Sequence, residues 1–165
     1  MKVITDIRTG IGFDIHQFAE GRKLILVGIE IPSEKGLAGH SDADVVLHAI
    51  TDALLGSLAL GDIGIHFPNT DEKYKNANSS IFIQKAKELL EKKGFSISNI
   101  DVAVALEKPK ISPYLEKMKT SISKMLNLSP DRVSVKATTA EKLGFVGREE
   151  GALAFATATI VKSEN

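Results

Sequence analysis

Residues 8–16 read Arg8-Thr9-Gly10-Ile11-Gly12-Phe13-Asp14-Ile15-His16, and this stretch decides how the rest of the chain is read. It has the pattern of a strand in which Gly10 and Gly12 admit the close approach of another backbone. Asp14 and His16 are two residues apart, so on a strand their side chains share one face. A carboxylate beside an imidazole makes two-thirds of an open zinc site, and His48 in a helix-patterned segment can close the triangle. Asp-x-His pairs also arise by chance, and a single helical histidine is commonly just a satisfied core residue, so spacing alone leaves the point open. Asp44, one helical turn before His48, is a rival ligand that reads better as a partner orienting the imidazole.

The 165 residues suit one domain, and an apolar fraction of 43% supports a real core. Lys and Arg number 21 against 21 Asp and Glu, so there is no basic field for a nucleic-acid backbone. An acidic small molecule would be held locally, by metals, backbone amides and a few cations. Cysteine is absent, which excludes disulfides and thiolate metal sites. Any metal must then sit on imidazole and carboxylate, a donor set typical of catalytic sites. Met1 to Thr9 lacks a signal-peptide hydrophobic region, and no apolar run approaches membrane-spanning length. A soluble, cytoplasmic protein is expected, or a plastid-stromal one if this is a mature organellar form.

Lys23 to Ile31 reads as a strand or hairpin bent at Gly28, and Glu34 to Gly39 as a loop. Ser41 or Asp42 is the expected N-cap of a helix from Val45 to about residue 59. Gly61-Asp62-Ile63-Gly64 ends it, and a polar loop follows to Ser80. Ser79 or Ser80 caps a second helix closed by Gly94. Ile97 to Leu106 alternates bulky and small residues as a strand. Ser112-Pro113 opens a third helix, Val133 to Thr139 is a strand, and Ala152 to Val161 is the last. The fold class expected is α+β: a single-domain two-layer sandwich over residues 1–165, with a mixed or antiparallel sheet and helices on one face. The other face is read as small residues and threonines, a surface suited to packing against its own copies in a symmetric oligomer.

Other clusters carry chemistry. His40-Ser41 before a helix suits a phosphate, although plain capping explains Ser41. Thr138-Thr139 with Glu141 can hold phosphate oxygens and Mg²⁺, although strand propensity and a surface glutamate explain them equally well. Asp62-Ile63-Gly64 with Phe67 to Asp71 can grip polyol hydroxyls. Leu106 to Ser112 offers irregular backbone to a base edge.

Taken in order, these motifs closely resemble the 2-C-methyl-D-erythritol 2,4-cyclodiphosphate synthase family. The likeness rests on Gly12 to His16, His40-Ser41-Asp42, Gly61 to Gly64, Phe67 to Asp71, Lys136 to Thr139 and Glu141 to Phe145, and runs from about residue 8 to residue 161. The resemblance implies a phosphorus–oxygen lyase of non-mevalonate isoprenoid synthesis. It would cyclise 4-diphosphocytidyl-2-C-methyl-D-erythritol 2-phosphate, with release of CMP, in a homotrimer packed through its sheets with active sites between subunits. It implies Zn²⁺ on Asp14, His16 and His48, and a second divalent ion, Mg²⁺ or Mn²⁺, on Glu141. His40 and Thr139 correspond to catalytic positions that stabilise the transition state. Asp62, Ile63, Gly64, Phe67, Pro68, Asn69, Thr70 and Asp71 correspond to the methylerythritol pocket, and Asp14, Ile15, His16, His40 and Ser41 are substrate-binding positions the resemblance also implies. Leu106, Glu107, Lys108, Pro109, Lys110, Ile111 and Ser112, with Ala137 and Thr138, correspond to the cytidine side, supplied by the neighbouring subunit; Thr139, Ala140, Glu141, Phe145 and Arg148 are further substrate-binding positions the resemblance implies. Phe13, Phe145, Arg148 and Glu150 match a central trimer channel suited to an isoprenoid diphosphate. Asn69 stands where the family often has aspartate, Ala140 where it has threonine, and residues 1–7 form an N-terminal extension. A zinc-dependent nucleotide-diphosphate hydrolase and a trimeric small-molecule sensor are the competing readings; the first would give linear products, the second needs no zinc.

Overall fold

Strand β1 runs over Val3–Glu20 and is the longest element of the computed structural model, which describes residues 3–164. It pairs antiparallel along nearly its whole length with the last strand, β7 (Gly151–Glu164), in a register that sets Gly12 opposite Ala156 and Asp14 opposite Ala154. Two more strands precede the first helix as a hairpin, β2 (Leu24–Leu26) and β3 (Ile29–Ile31), turned at Val27 and Gly28, both with positive φ. β4 (Lys35–Leu37) pairs with the end of β1, inside the segment expected to be a loop. β5 (Phe95–Ala105) and β6 (Val133–Thr138) complete the main sheet, whose order is β4-β1-β7-β5-β6. Only β5 and β6 run parallel; the sheet is therefore mixed. Residues 3–7 of the expected extension are part of β1 and pair with the end of β7.

The helices α1 (Val45–Ser57), α3 (Ser80–Lys92) and α4 (Leu115–Leu126) cover one face. Short helical turns, α2 (Ile63–His66) and α5 (Gly144–Gly147), lie in the connections. α3 and α4 each bury one stripe, Phe82-Ile83-Ala86-Leu90 and Met118-Ile122-Leu126, as amphipathic helices do. α1 is different: eleven of its thirteen residues are buried, because it lies between the sheet and α3.

Several boundaries differ from the expected ones for local reasons. The N-cap of α1 is Asp44, whose Oδ1 accepts from Leu47 N at 3.1 Å; Ser41 and Asp42 are turned to other partners. Ser79 precedes α3 but makes no side-chain capping bond. Ser112 is not a cap: Ser112–Tyr114 forms a 3₁₀ turn that leads into α4. The polar loop to Ser80 is broken by α2 and by a 3₁₀ turn at Glu72–Tyr74.

The two faces of the sheet also divide differently. Ala152, Ala154, Ala156 and Ala158 face the helices, where small side chains let α1 settle close to the sheet. The uncovered face has the expected Ala103, Ala105, Thr157 and Thr159. It also exposes Ile7, Ile11, Phe13, Ile15 and Phe155, and Ile11 is 68% exposed. Phe13 and Phe155 are cross-strand partners with ring centroids 4.7 Å apart.

The seating of α1 on β1 is backbone on backbone. A Cβ added at Gly12 would lie 1.7 Å from Ala49 O, and one at Gly10 2.0 Å from Ala53 O. No rotamer relieves such an overlap, because the obstacle is main chain. Gly12→Ala is therefore expected to cost at least about 3 kcal/mol of stability, more than ordinary overpacking, because helix and strand must separate. Denaturant unfolding checks this; a loss under about 1 kcal/mol would show that α1 is free to shift.

Candidate metal centre

β1 delivers Asp14 and His16 to the helix side of the sheet, and α1, held down at Gly12, delivers His48 above them. The three donor atoms form a nearly equilateral triangle. His16 Nε2 is 2.9 Å from Asp14 Oδ2, His48 Nδ1 is 3.0 Å from the same oxygen, and the two ring nitrogens are 3.0 Å apart. Among the described residues this is the group of three or more potential ligands that converges.

The partners behind each ring decide where its proton sits. His16 Nδ1 is 2.7 Å from Ala38 O, a pure acceptor, so Nδ1 donates and Nε2 presents a lone pair. His48 Nε2 is 2.8 Å from Ser79 Oγ, and Ser79 Oγ in turn donates to the carboxylate of Asp42. Ser79 therefore accepts from His48, which leaves His48 Nδ1 with a lone pair as well. Neutral rings thus aim two lone pairs and a carboxylate oxygen at one point, an arrangement that needs a positive charge. Either protons or a cation can supply it. Burial pushes the Asp14 carboxyl up, but hydrogen bonds and charge from His16 and His48 outweigh it and hold Asp14 at about 2. Burial works against protonation of His16, and Asp14 overcomes that to raise its pKa.

The donor set fits zinc. Tetrahedral bonds of about 2.0–2.1 Å set donors roughly 3.3–3.4 Å apart, so each side of the triangle would open by a few tenths of an ångström. Two imidazoles and one carboxylate leave a fourth position for a substrate oxygen.

The three side chains open onto a cleft of about 490 Å³. His40, Ser41, Ile63, Gly64, Phe67, Pro68, Asn69 and Thr70 line it, as expected, beside the three ligands. Gly39, Tyr74 and Phe82 line it too and were not foreseen. Phe67, Tyr74 and Phe82 pack with centroids 4.7–5.6 Å apart, and Phe82 backs His48 at 5.8 Å. Arg22, also unforeseen, clamps the 37–41 segment by donating to Leu37 O at 3.2 Å and Ser41 O at 2.8 Å.

Other expected positions take different roles within the chain. Ile15 is on the uncovered face of the sheet, opposite the ligands, because it lies between two inward residues of a strand. Asp62 caps α2 through Ile65 N at 3.0 Å, while Asp52 on α1 accepts from Ile63 N at 2.7 Å and ties that turn to the helix. Asp71 is absent from the lining; its carbonyl meets His40 Nε2 at 3.2 Å and its carboxylate pairs with Lys73. His66 turns to Leu60 O at 2.9 Å.

Asp44 does not orient His48. Its carboxylate is wholly buried and accepts from Leu47 N and from Gly28 N, the latter at 2.7 Å, so it joins the β2–β3 turn to α1. The groups that do orient His48 are Ser79 and Ser41. Nothing in the spacing marks Ser79, which is 31 residues away.

A second, shallower recess of about 160 Å³ is lined by Leu106, Glu107, Pro109, Lys110, Ile111, Ser112, Ala137, Thr138 and Thr139. It shares no residue with the metal cleft. Glu107 braces its rim, accepting from Ala140 N at 3.2 Å and Lys142 N at 2.8 Å. Glu141, in the left-handed region at φ 51°, accepts from Thr139 Oγ1 at 2.7 Å. Lys108 pairs with Glu149, and exposed Arg148 forks onto Glu150 at 2.8 and 3.0 Å. Phe145 is on α5.

The sequence pattern of the YgbB family matches residues 7–161. The chain belongs to that family. Among its members, a 2-C-methyl-D-erythritol 2,4-cyclodiphosphate synthase of Chlorobium phaeobacteroides is 59% identical over 154 residues, 93% of this chain and 98% of its own length. The synthase of Chlorobaculum tepidum is 58% identical over the same shares. Solved structures of the family superpose closely. A bifunctional IspDF from Campylobacter jejuni gives a TM-score of 0.92 at 43% identity over 97% of this chain, which spans 43% of that longer protein. The IspF of Plasmodium falciparum in a CDP complex gives 0.83 at 36% identity, covering 94% of this chain and 96% of that one.

The Asp44 geometry carries a prediction with a definite sign. Burial pushes the Asp44 carboxyl up to about 6, above its unfolded value of 3.8. A raised acid stabilises the fold fully below the unfolded pKa and loses that contribution as pH rises through the folded one. The stability advantage of wild type over Asp44→Ala should thus shrink by about 1 kcal/mol between pH 5 and pH 7, read from denaturant midpoints. An advantage that grows with pH would show that the amide hydrogen bonds outweigh burial.

Proposed function

We propose that this chain, as one domain over residues 1–165, converts 4-diphosphocytidyl-2-C-methyl-D-erythritol 2-phosphate into 2-C-methyl-D-erythritol 2,4-cyclodiphosphate and CMP. The observation that carries the reading is the division of the site. One chain holds two complementary half-sites that do not meet: a metal triad opening on a polyol-sized cleft, and a separate recess of irregular backbone and hydroxyls suited to a nucleotide. The CDP complex of a relative supports a cytidine nucleotide as the ligand.

Asp14, His16 and His48 would hold Zn²⁺, which supplies Lewis-acid polarisation of a phosphoryl oxygen. Glu141 would hold a second divalent ion, Mg²⁺ or Mn²⁺, on the nucleotide phosphates. The nucleophile is the substrate's own 2-phosphate oxygen, ionised at neutral pH, so no general base has to remove a proton. It forms a bond to the β-phosphorus, and the bond to the α-phosphate oxygen breaks with CMP as leaving group. His40, at the cleft wall, and Thr139 stabilise the charge that spreads over the transferring group. Ile63, Gly64, Phe67 and Thr70 enclose the methylerythritol, with Asn69 accepting from its hydroxyls. Pinning both ends of one molecule makes the attack intramolecular, and this positioning supplies much of the rate.

The half-sites would be joined by oligomerisation. The uncovered sheet face with Ile7, Ile11, Phe13, Ile15 and Phe155 is apolar enough to pack on copies of itself, and a homotrimer would set the recess of one subunit against the cleft of the next. Phe13, with Arg148 and Glu150, would then face the three-fold axis, where an isoprenoid diphosphate is the ligand the resemblance implies.

Two experiments test the reading. His16→Ala is expected to lose zinc and at least about 10³-fold in cyclic product while remaining folded, monitored by phosphorus NMR. Linear hydrolysis products from wild type would refute cyclisation. Shared sites predict complementation: remixing inactive His48→Ala with inactive Glu141→Ala should restore on the order of a quarter of the clefts. No recovery from verified mixed trimers would place each site within one subunit.

A further inference from the structure

His48 reaches its tautomer through a relay of a buried hydroxyl, Ser79, and a half-buried carboxylate, Asp42. We propose that Ser79 is a positioning residue for the metal ligand His48, and that Asp42 sets the direction in which the Ser79 proton points. The inference rests on the reading of Asp14, His16 and His48 as a metal centre.

Four observations carry it. Ser79 is wholly buried, and its side chain makes no capping bond to the helix that follows it. Its Oγ is 2.8 Å from His48 Nε2, closer than Ser41 Oγ at 3.2 Å. The Asp42 carboxylate takes both donors of Ser79, the hydroxyl on Oδ1 and the backbone N–H on Oδ2 at 3.1 Å. Asp42 Oδ1 also accepts from Asp44 N at 3.3 Å, which holds the carboxylate at the start of α1. A carboxylate can only accept, so the Ser79 hydroxyl proton is committed to Asp42 and its lone pair to His48. The Nε2 proton then has Ser79 Oγ as its nearer acceptor, with Ser41 Oγ beyond it, and Nδ1 is left free for the cation. Without the relay His48 can place its proton on Nδ1, facing Asp14, and that proton competes with the metal.

The same contacts tie the centre to the cleft wall. Asp42 N donates to Ala77 O at 3.0 Å, and Asn76 N donates to His40 O at 2.7 Å. The loop that bears Phe67 to Thr70 thus ends on the residue that orients the ligand. A carboxylate–hydroxyl–imidazole chain does here what a direct carboxylate–imidazole pair does in other metal sites.

The test is isosteric. In Asp42→Asn the side chain keeps its shape but can accept from only one of the two Ser79 donors. Either its amide donates to Ser79 Oγ and reverses the relay, or the Ser79 backbone N–H loses its acceptor. Zinc affinity, measured by competition with a chromophoric chelator, is expected to fall 10–100-fold in Asp42→Asn and in Ser79→Ala. It should stay within twofold of wild type in Ser79→Thr, which keeps the hydroxyl. Far-UV circular dichroism reports whether each variant folds. In zinc-loaded wild type and Ser79→Thr, a slowly exchanging downfield proton on His48 Nε2 should appear in ¹⁵N-edited spectra, and it should broaden away in Ser79→Ala. Folded Asp42→Asn or Ser79→Ala with wild-type affinity would overturn the relay and leave the metal centre standing. If neither variant folds, wild-type spectra decide: Nε2 ligated and Nδ1 protonated would overturn it. Wild type that takes up no zinc would overturn the metal centre itself.

Discussion

The contact on which everything else depends is the seating of α1 on β1 without side chains between them. Helices ordinarily lie on a sheet across a layer of side chains. Here Gly10 and Gly12 remove that layer, and the carbonyls of Ala49 and Ala53 come down onto the strand. The consequence is a short distance between two backbones that carry chemistry. His48, one residue before Ala49, reaches Asp14, two residues beyond Gly12, at 3.0 Å. With a normal spacing the same side chains would lie on facing elements and not converge. The alanines at 152, 154, 156 and 158 extend the thin layer onto β7, so the helix is supported over two strands.

Around that contact the polar groups form an ordered hierarchy. The ligands meet at one point. Behind them Ala38 O and Ser79 set the ring protons, and behind those Asp42 and Arg22 hold the segments that supply the second layer. Among the described residues no buried side-chain polar atom lacks a hydrogen-bond partner. Such completeness matters at a cation site, because a loose imidazole would average over tautomers and weaken its lone pair. Asp44 belongs to the fold and not to this hierarchy. Its charge is buried to join α1 to the β2–β3 turn, and burial raises its pKa accordingly.

The chemistry proposed asks little of side chains as acids or bases and much of them as clamps. Its difficulty is electrostatic: anionic phosphates must approach each other. A chain with equal numbers of cationic and anionic residues has no field to gather them. Divalent ions at fixed points, with hydroxyls and amides around them, would meet that need. In the proposed reaction, separation of the two recesses would make assembly part of catalysis, because neither half would grip the whole substrate.

Much of this was legible in the residues. Strand parity placed Asp14 with His16, the glycine pair announced a close backbone, and the absence of cysteine limited the donors to imidazole and carboxylate. The ordered motifs located the cleft residues His40, Ile63, Gly64 and Phe67 to Thr70, and those of the recess. What the residues could not show were relations across long stretches of chain. Ser79 looks like a helix cap and instead orients a ligand 31 positions earlier. Asp44 looks like that orienting group and instead caps the helix. Ile15 sits between two ligands and points the other way. Local sequence determines period, propensity and donor chemistry, because these depend on neighbouring residues. Which buried polar atom meets which was decided only when β1, α1 and the loop before α3 packed together, since hydrogen-bond partners are chosen by position in space and not by distance along the chain.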